Sequence, residues 1–360
     1  MASKQLCVTA RISLIVALFI ISLQLLAYLT ASSLQSPYTR DSRKGTPRLA
    51  RQIPASELLS RHPTDTRGRI PKIFHQSWKT LELPARFRHW SLSCRRKHPD
   101  WEWVVWTDED NLALVQKHFP WLEEAYRGLP GVIYQADLAR NLYMYIYGGV
   151  YADLDTECLR PTEDLQRVHG SLFNQQDGIP VPATAIFGRM GNDPDFEHSI
   201  PNAWMASTPG HRFFLAALQD FMDLYNQTTR EGPEFPDPES VTGPVALRDS
   251  LARYESNRVL HGPGISDAVA GLARGGPFPH TPAEEPRVLL LPSHALYAYS
   301  WGGDGEDVRD MCWVVNDGFD AGRCKERLDT RGRGSISITY WSHTHSPTGH
   351  DEENMKHITE

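Results

Sequence analysis

Residues Val132 to Pro161 read VIYQADLARNLYMYIYGGVYADLDTECLRP, and their order decides the fold. The first half carries apolar residues at helical spacing up to Gly148-Gly149, where a helix stops most readily. From Val150 to Asp155 the pattern changes to alternation, which predicts a short strand with Tyr151, Asp153 and Asp155 on one face. Two carboxylates fixed side by side without an adjacent basic residue repel each other. A hard divalent cation that bridges them to a phosphate relieves that repulsion. On the preceding helix, Asp137 and Arg140 are three apart and therefore neighbours on one face. Asp137, Arg140, Asp153 and Asp155 are the candidate catalytic residues.

Upstream of this stretch, Pro71 to Trp78 (PKIFHQSW) predicts a strand that delivers polar and aromatic side chains to its end. Residues 85–97 suit a helix, and Trp101 to Trp106 (WEWVVW) a buried strand. Thr107 is a good N-cap, followed by acidic residues in the first helical turn. Strand and helix alternating in short order predict an α/β fold with parallel strands. Ligands of such sheets bind at the carboxyl ends of the strands, where Trp78, Asp153 and Asp155 fall.

The chain of 360 residues is long enough for one large domain with appendages. Its net charge of −7 is uneven: residues 1–69 hold ten Lys/Arg against three Asp/Glu, leaving 27 against 41 for the remainder. An acidic body argues against a nucleic-acid partner. Residues 12–31 (ISLIVALFIISLQLLAYLTA) are uncharged and match the about 30 Å of a bilayer core, longer than the apolar region of a cleaved signal peptide. They are expected to be a transmembrane signal anchor behind a cytoplasmic tail of residues 1–11, with Lys4 and Arg11 favouring a type II orientation. Residues 32–69, rich in Ser, Pro, Arg and Thr, are expected to be a flexible stem, and residues 70–360 the globular domain. The sequon Asn226-Gln227-Thr228 supports a lumenal body.

Four of the five cysteines, Cys94, Cys158, Cys312 and Cys324, fall in that body and allow three pairings, of which the local Cys312–Cys324 is favoured. No zinc-type Cys/His spacing occurs. Further on, Ile186 to Met205 alternates apolar patches with turn residues, His211 to Tyr225 has helical spacing, and residues 230–240 and 262–286 read as Pro/Gly-rich loops. Val288 to Pro292 and Ser335 to Trp341 read as short strands, the second running into His343-Thr344-His345.

Taken together these motifs resemble glycosyltransferase family 32, the group of yeast-type Golgi mannosyltransferases and inositol-phosphoceramide mannosyltransferases. Residues 70–78 resemble the opening motif of that family. Ala136 to Arg140 (ADLAR), followed by Tyr147 to Asp155 (YGGVYADLD), resembles its central motif. Looser echoes are Pro201 to Ser207 with Pro209-Gly210-His211, and Thr242-Gly243-Pro244. The resemblance implies a GT-A fold, a nucleotide-sugar donor, Mn2+ (or Mg2+), retention of anomeric configuration and Golgi membrane residence. It assigns Asp153 and Asp155 to the metal and the donor diphosphate. Asp137 and Arg140 match positions that hold the sugar hydroxyls and the reacting phosphate. Trp78 would line the nucleobase site with His75 and Gln76 nearby, and Tyr151 would flank the metal. At the C-terminus the match departs, since the family's Trp-rich closing segment is here Tyr340 to Ser346 (YWSHTHS); His343 and His345 are the metal ligands it could add.

Plainer readings compete at each position. Asp137 and Arg140 could form a surface ion pair, Trp78 could be core packing, and His343 and His345 could be structural. Tyr143, Tyr145 and Tyr147 read as core. The function expected is transfer of a hexose, mannose from GDP-mannose, to a glycan or glycolipid. The alternatives are a UDP-sugar donor (galactose or N-acetylglucosamine), a non-catalytic carbohydrate-binding protein on the same fold, and a metal phosphoesterase.

Overall fold

The computed structural model describes residues 48–169, 172, 182–232, 235–261, 271–272, 276–278, 286–343 and 351–359. The expected tail and anchor, residues 32–47 of the expected stem, and His345 lie outside the described residues. Among the described residues no helix is long and apolar enough to cross a membrane.

In chain order the elements that build the site are β1 (Arg51–Gln52), α1 (Ala55–Ser60), β2 (Ile73–Ser77), α2 (Ala85–Lys97), β3 (Glu102–Trp106), α3 (Asp108–His118), α4 (Val132–Ile146), β4 (Gly149–Ala152) and β5 (Thr156–Cys158). They continue with β6 (Thr184–Gly188), β7 (Trp204–Ser207), α5 (Arg212–Glu231), α6 (Pro244–His261), β8 (Arg287–Leu291) and β9 (Ser337–Thr339). One seven-stranded sheet runs β1-β3-β2-β4-β7-β6-β8. The first four strands in that order are mutually parallel. β7 is antiparallel to both its neighbours, and β8 is parallel to β6. The mixed α/β architecture agrees with the alternation of elements; the reversed β7 was not legible in the sequence.

Period-two alternation splits the strand side chains between two layers. Val104, Trp106, Tyr151 and Met205 pack on α3, α4 and α5 on one face. Trp103, Val105, Val150 and Trp204 pack on α2 and the C-terminal segment on the other. Tyr143 and Tyr145 are buried as expected; Tyr143 stacks on Trp106 at 4.5 Å. Thr107 caps α3 through a reciprocal arrangement with Asp110.

Three boundaries differ from the sequence reading. Residues 48–69 are packed rather than extended: β1 pairs with β3, and Ile53, Ala55 and Leu58 are buried in the core. A short run of small apolar residues among Arg and Ser was too weak a pattern to read. The stretch 230–240 holds the short helix Pro238–Val241, capped by Asp237. The strand near residue 337 does not join the main sheet; β9 pairs antiparallel with β5, Thr339 opposite Thr156.

The helix-to-strand turn at Gly148-Gly149 has φ of 61° and 90°, where a side chain is strained. A Cβ at Gly148 would meet Pro209, and one at Gly149 would meet the Ile73 carbonyl. Glycine therefore lets α4 double back directly into β4 beside β2.

Both bridges of the body form, Cys94–Cys158 and Cys312–Cys324, the second being the favoured pairing. The first joins α2 to β5 across 64 residues and the second spans 12. On chain entropy alone they stabilise by about 4 and about 3 kcal/mol. The paired Cys94→Ala/Cys158→Ala variant should therefore unfold at lower denaturant than Cys312→Ala/Cys324→Ala. Equal midpoints in urea unfolding would show that loop length does not set their contributions.

Candidate active site

β2 and β4 run parallel and end side by side, so Trp78 and Asp153, the residues just past those ends, reach the same edge of the sheet. β7 starts at this edge because it is antiparallel, which brings Asn202 there as well. A cleft of about 220 Å³ opens at this edge, and Trp78, Asp137, Arg140, Tyr151, Asp153 and Asp155 all line it.

The centre of the cleft floor is Arg140, 6% exposed on α4. Its Nη2 lies 2.7 Å from Asp137 Oδ1, and its Nη1 lies 3.3 Å from Asp153 Oδ1. The same Nη1 donates to the Asn202 carbonyl at 3.1 Å, and the guanidinium lies over the Tyr151 ring. Burial works against the cation, but Asp137 and Asp153 outweigh it and raise its proton affinity. The surface-pair reading of Asp137 and Arg140 is thus excluded. Asp137 also accepts from Asn202 Nδ2 at 3.1 Å. Burial nevertheless pushes its carboxyl up to about 7, against the pull of Arg140.

Asp153 and Asp155 are not on a continuous strand. β4 ends at Ala152, whose successor Asp153 donates its N–H to the Ala203 carbonyl; a turn follows, closed from Thr156 N–H to the Asp153 carbonyl. After that turn the chain leaves the main sheet and pairs with β9, which is why the alternation could not continue. Asp153 is partly open, its side chain 30% exposed, and accepts from the Tyr151 hydroxyl at 2.6 Å. Asp155 is buried, and its Oδ2 accepts from the Ser342 N–H at 2.8 Å and the Ser342 hydroxyl at 3.0 Å. Its Oδ1 is buried without a partner among the described residues. Burial and the Asp153 charge raise this carboxyl to about 6.

An unsatisfied buried carboxylate oxygen is costly unless something outside the chain completes it. Five carboxylates line the cleft (Asp108, Asp137, Asp153, Asp155 and Glu239) against two basic side chains, Lys79 and Arg140. The neighbouring pair Asp153 and Asp155 suits a hard divalent cation that takes oxygen ligands and leaves further positions for water or phosphate. Among the described residues no group of three or more His, Cys, Asp and Glu gathers at one point. His343 lines the cleft, its ring edge-on to Trp301 and between Trp301 and Trp313, with burial lowering its proton affinity.

Two expected binding residues are elsewhere. His75 is fully buried: its Nδ1 accepts from Trp106 Nε1 at 3.1 Å, and its Nε2 lies 2.9 Å from the Gly148 carbonyl. Burial lowers its pKa to about 4, so it is a neutral core residue under the Gly148 turn. Gln76 is also buried, and its Oε1 accepts from Ser91 and from Trp103 Nε1. The strand alternation forced both into the layers beside the sheet. Trp78, past the strand end, is half-buried at the cleft and packs edge-on against Phe87 at 5.2 Å.

Sequence reasoning missed Glu239 and gave Asn202 and Ser342 no role. The usable signal for Glu239 was Thr242-Gly243-Pro244. A Cβ on Gly243 would come within 3.2 Å of Asp137 Oδ2, so this glycine lets the helix Pro238–Val241 close on the site.

Residues 84–171 match a family model described as "Glycosyltransferase sugar-binding region containing DXD motif". Inositol phosphoceramide mannosyltransferase 1 of Schizosaccharomyces pombe is 30% identical over 189 residues, 52% of this chain and 52% of that protein. Inositol phosphoceramide mannosyltransferase 3 of the same yeast is 43% identical over 96 residues, 27% of each chain. Initiation-specific alpha-1,6-mannosyltransferase of Candida albicans is 30% identical over 115 residues, 30% of each. The chain spans about half the length of the first of these relatives and less of the other two. The matched region runs from the start of α2 past β5 and contains Asp137, Arg140, Asp153 and Asp155. Residues 84–171 thus match the family described as a DXD-containing glycosyltransferase sugar-binding region, and the motifs quoted from the sequence fall within or beside that match.

Proposed function

We propose that this protein is a metal-dependent, retaining hexosyltransferase of GT-A type, moving mannose from GDP-mannose onto a glycan or glycolipid in the Golgi lumen. The observation that carries the metal and the diphosphate is Asp155 Oδ1, buried and without a partner among the described residues, beside Asp153 in a cleft with excess negative charge. The mannosyl group rests on the names of the relatives, and the GDP donor on the resemblance to glycosyltransferase family 32.

In this reading Asp155 and Asp153 hold Mn2+ or Mg2+. When bound, the cation supplies a Lewis acid for the charge that builds on the nucleoside diphosphate as the sugar–phosphate bond breaks. Ser342 holds Asp155 by its Oδ2, which leaves Oδ1 without a partner among the described residues. Tyr151 and Arg140 orient Asp153. Trp78 offers an aromatic surface for the nucleobase. Asp137, held by Arg140 and Asn202, binds hydroxyls of the transferred sugar. The front-face route, in which the leaving phosphate takes the acceptor proton, rests on the resemblance to family 32.

The test is turnover by the full chain on a panel of GDP- and UDP-sugars with manganese. GDP-mannose should be consumed, and Asp155→Asn should lose about 100-fold or more. Ser342→Ala, which removes one of two hydrogen bonds to that ligand, should lose about tenfold. Full activity in Asp155→Asn would remove Asp155 from the metal site, and preference for a UDP-sugar would replace the donor.

Asp155 also predicts a stability trend without metal. Its folded pKa lies above its unfolded value, so the folded state keeps a proton that the unfolded state releases. Stability from this group is complete below about pH 4 and is lost as pH rises through about 6. Metal-free Asp155→Asn should therefore gain on the wild type in thermal midpoint between those values. A difference that stays flat across that window would contradict the raised carboxyl.

A further inference from the structure

Close to Asp137 the cleft is lined by Pro238 and Glu239 of the helix Pro238–Val241 and by His343, with His198 behind Glu239. Glu239 lines the cleft with its side chain 45% exposed. His198, 7% exposed, has its Nε2 3.0 Å from Glu239 Oε2, which fixes that oxygen. The Nδ1 of His198 is buried with no partner among the described residues, so the ring is held by aromatic contacts, Phe196 edge-on and Trp301 at 5.0 Å. The hydrogen bond from His198 lowers the Glu239 pKa and keeps it ionised, while its charge raises that of Asp137.

This arrangement has no use in the reactions assigned so far. Among the described residues this ionised carboxylate has no Lys or Arg partner, so it repels a diphosphate. It accepts hydrogen bonds from neutral hydroxyls well. His343 lines the cleft beside Glu239, its ring held edge-on against Trp301.

We infer that Glu239, buttressed by His198, binds a hydroxyl of the acceptor, a neutral polyol such as a hexose or inositol ring, and orients it toward the sugar held at Asp137. This rests on the sugar-transfer reading for the direction of the reaction, but the polyol subsite stands on its own geometry. Glu239 orients by accepting the hydroxyl's hydrogen bond and takes no proton. His198 touches no substrate and is a positioning residue.

The experiment uses the full chain and compares wild type with Glu239→Gln and His198→Gln. Donor hydrolysis without acceptor is measured first, then transfer to methyl α-D-mannopyranoside and to myo-inositol. Glu239→Gln should keep hydrolysis within about twofold and raise the acceptor KM about tenfold; Glu239→Asp should recover part of it. His198→Gln should raise the same KM by a smaller factor and leave hydrolysis alone. Equal loss of hydrolysis and transfer would make Glu239 a donor-side residue and overturn the inference, as would an unchanged KM. Saturation-transfer NMR with the two polyols, without nucleotide, separates this from the broader reading. If the wild type turns over no donor but binds a polyol, and Glu239→Gln loses that signal, the subsite stands and the transferase reading falls. No polyol signal from the wild type, or equal signals from a folded Glu239→Gln, overturns the subsite.

Discussion

Everything at the sheet edge depends on one buried cation. Arg140 lies beneath the cleft with its guanidinium shared between Asp137 and Asp153, the Asn202 carbonyl and the Tyr151 ring. A charge buried to that degree is tolerated only while its partners stay in place, and removing one partner of such a pair costs about 3–5 kcal/mol. The partners come from α4, the end of β4 and the loop before β7, so the ion pairs also hold three elements in register. Desolvation favours the neutral form of Asp137, and the guanidinium offsets that only in part. The site is therefore organised before any ligand arrives, with its geometry fixed by charges that cannot relax into water.

Asp155 is secured from the opposite end of the sequence. Its backbone carbonyl accepts from the Tyr340 N–H at 3.0 Å, and its side chain accepts twice from Ser342. β9 can reach that position because β5 leaves the main sheet and pairs with it, and Cys94–Cys158 ties β5 to α2. The acidic turn is thus clamped on both sides, by a covalent bridge and by a strand more than 180 residues away along the chain. A short segment that would otherwise be a solvated loop holds one carboxylate oxygen unpartnered and in place. Trp341 and His343, both at positive φ, mark where the C-terminal segment bends to form the cleft wall.

The parts of this architecture that are local were legible in the sequence. The Gly148-Gly149 stop, the Thr107 cap, the helix from Ala85 to Lys97 and the pairing of Asp137 with Arg140 each follow from residues within a few positions of one another. The long-range parts were not. Nothing near Asp155 announces Ser342, and nothing in the Pro-rich run before Thr242 announces that Glu239 faces the cleft. His75 and Gln76 show a different failure: they lie on the right strand, but its pleat sends them into the core layers while Trp78, one step past the strand's end, reaches the cleft. Residues 48–69 failed on composition, since Ile53, Ala55 and Leu58 are sparse among charged neighbours yet fill the core beside β3.

The charge balance of the cleft constrains the order of binding. A nucleotide diphosphate brings negative charge into a site that already gathers five carboxylates and has Arg140 committed beneath its floor. Without a divalent cation the diphosphate meets repulsion from Asp153 and Asp155 at close range, in a partly buried setting where screening is weak. On the proposed reaction, cation and donor would therefore enter as a unit, or the cation first. The sugar-facing side needs no such neutralisation, because hydroxyl groups are satisfied by carboxylates directly. On the proposed function, the acidic cleft would divide into a cation-dependent half at Asp153 and Asp155 and a cation-independent half at Asp137 and Glu239, because of the chemistry of the ligands each half can hold.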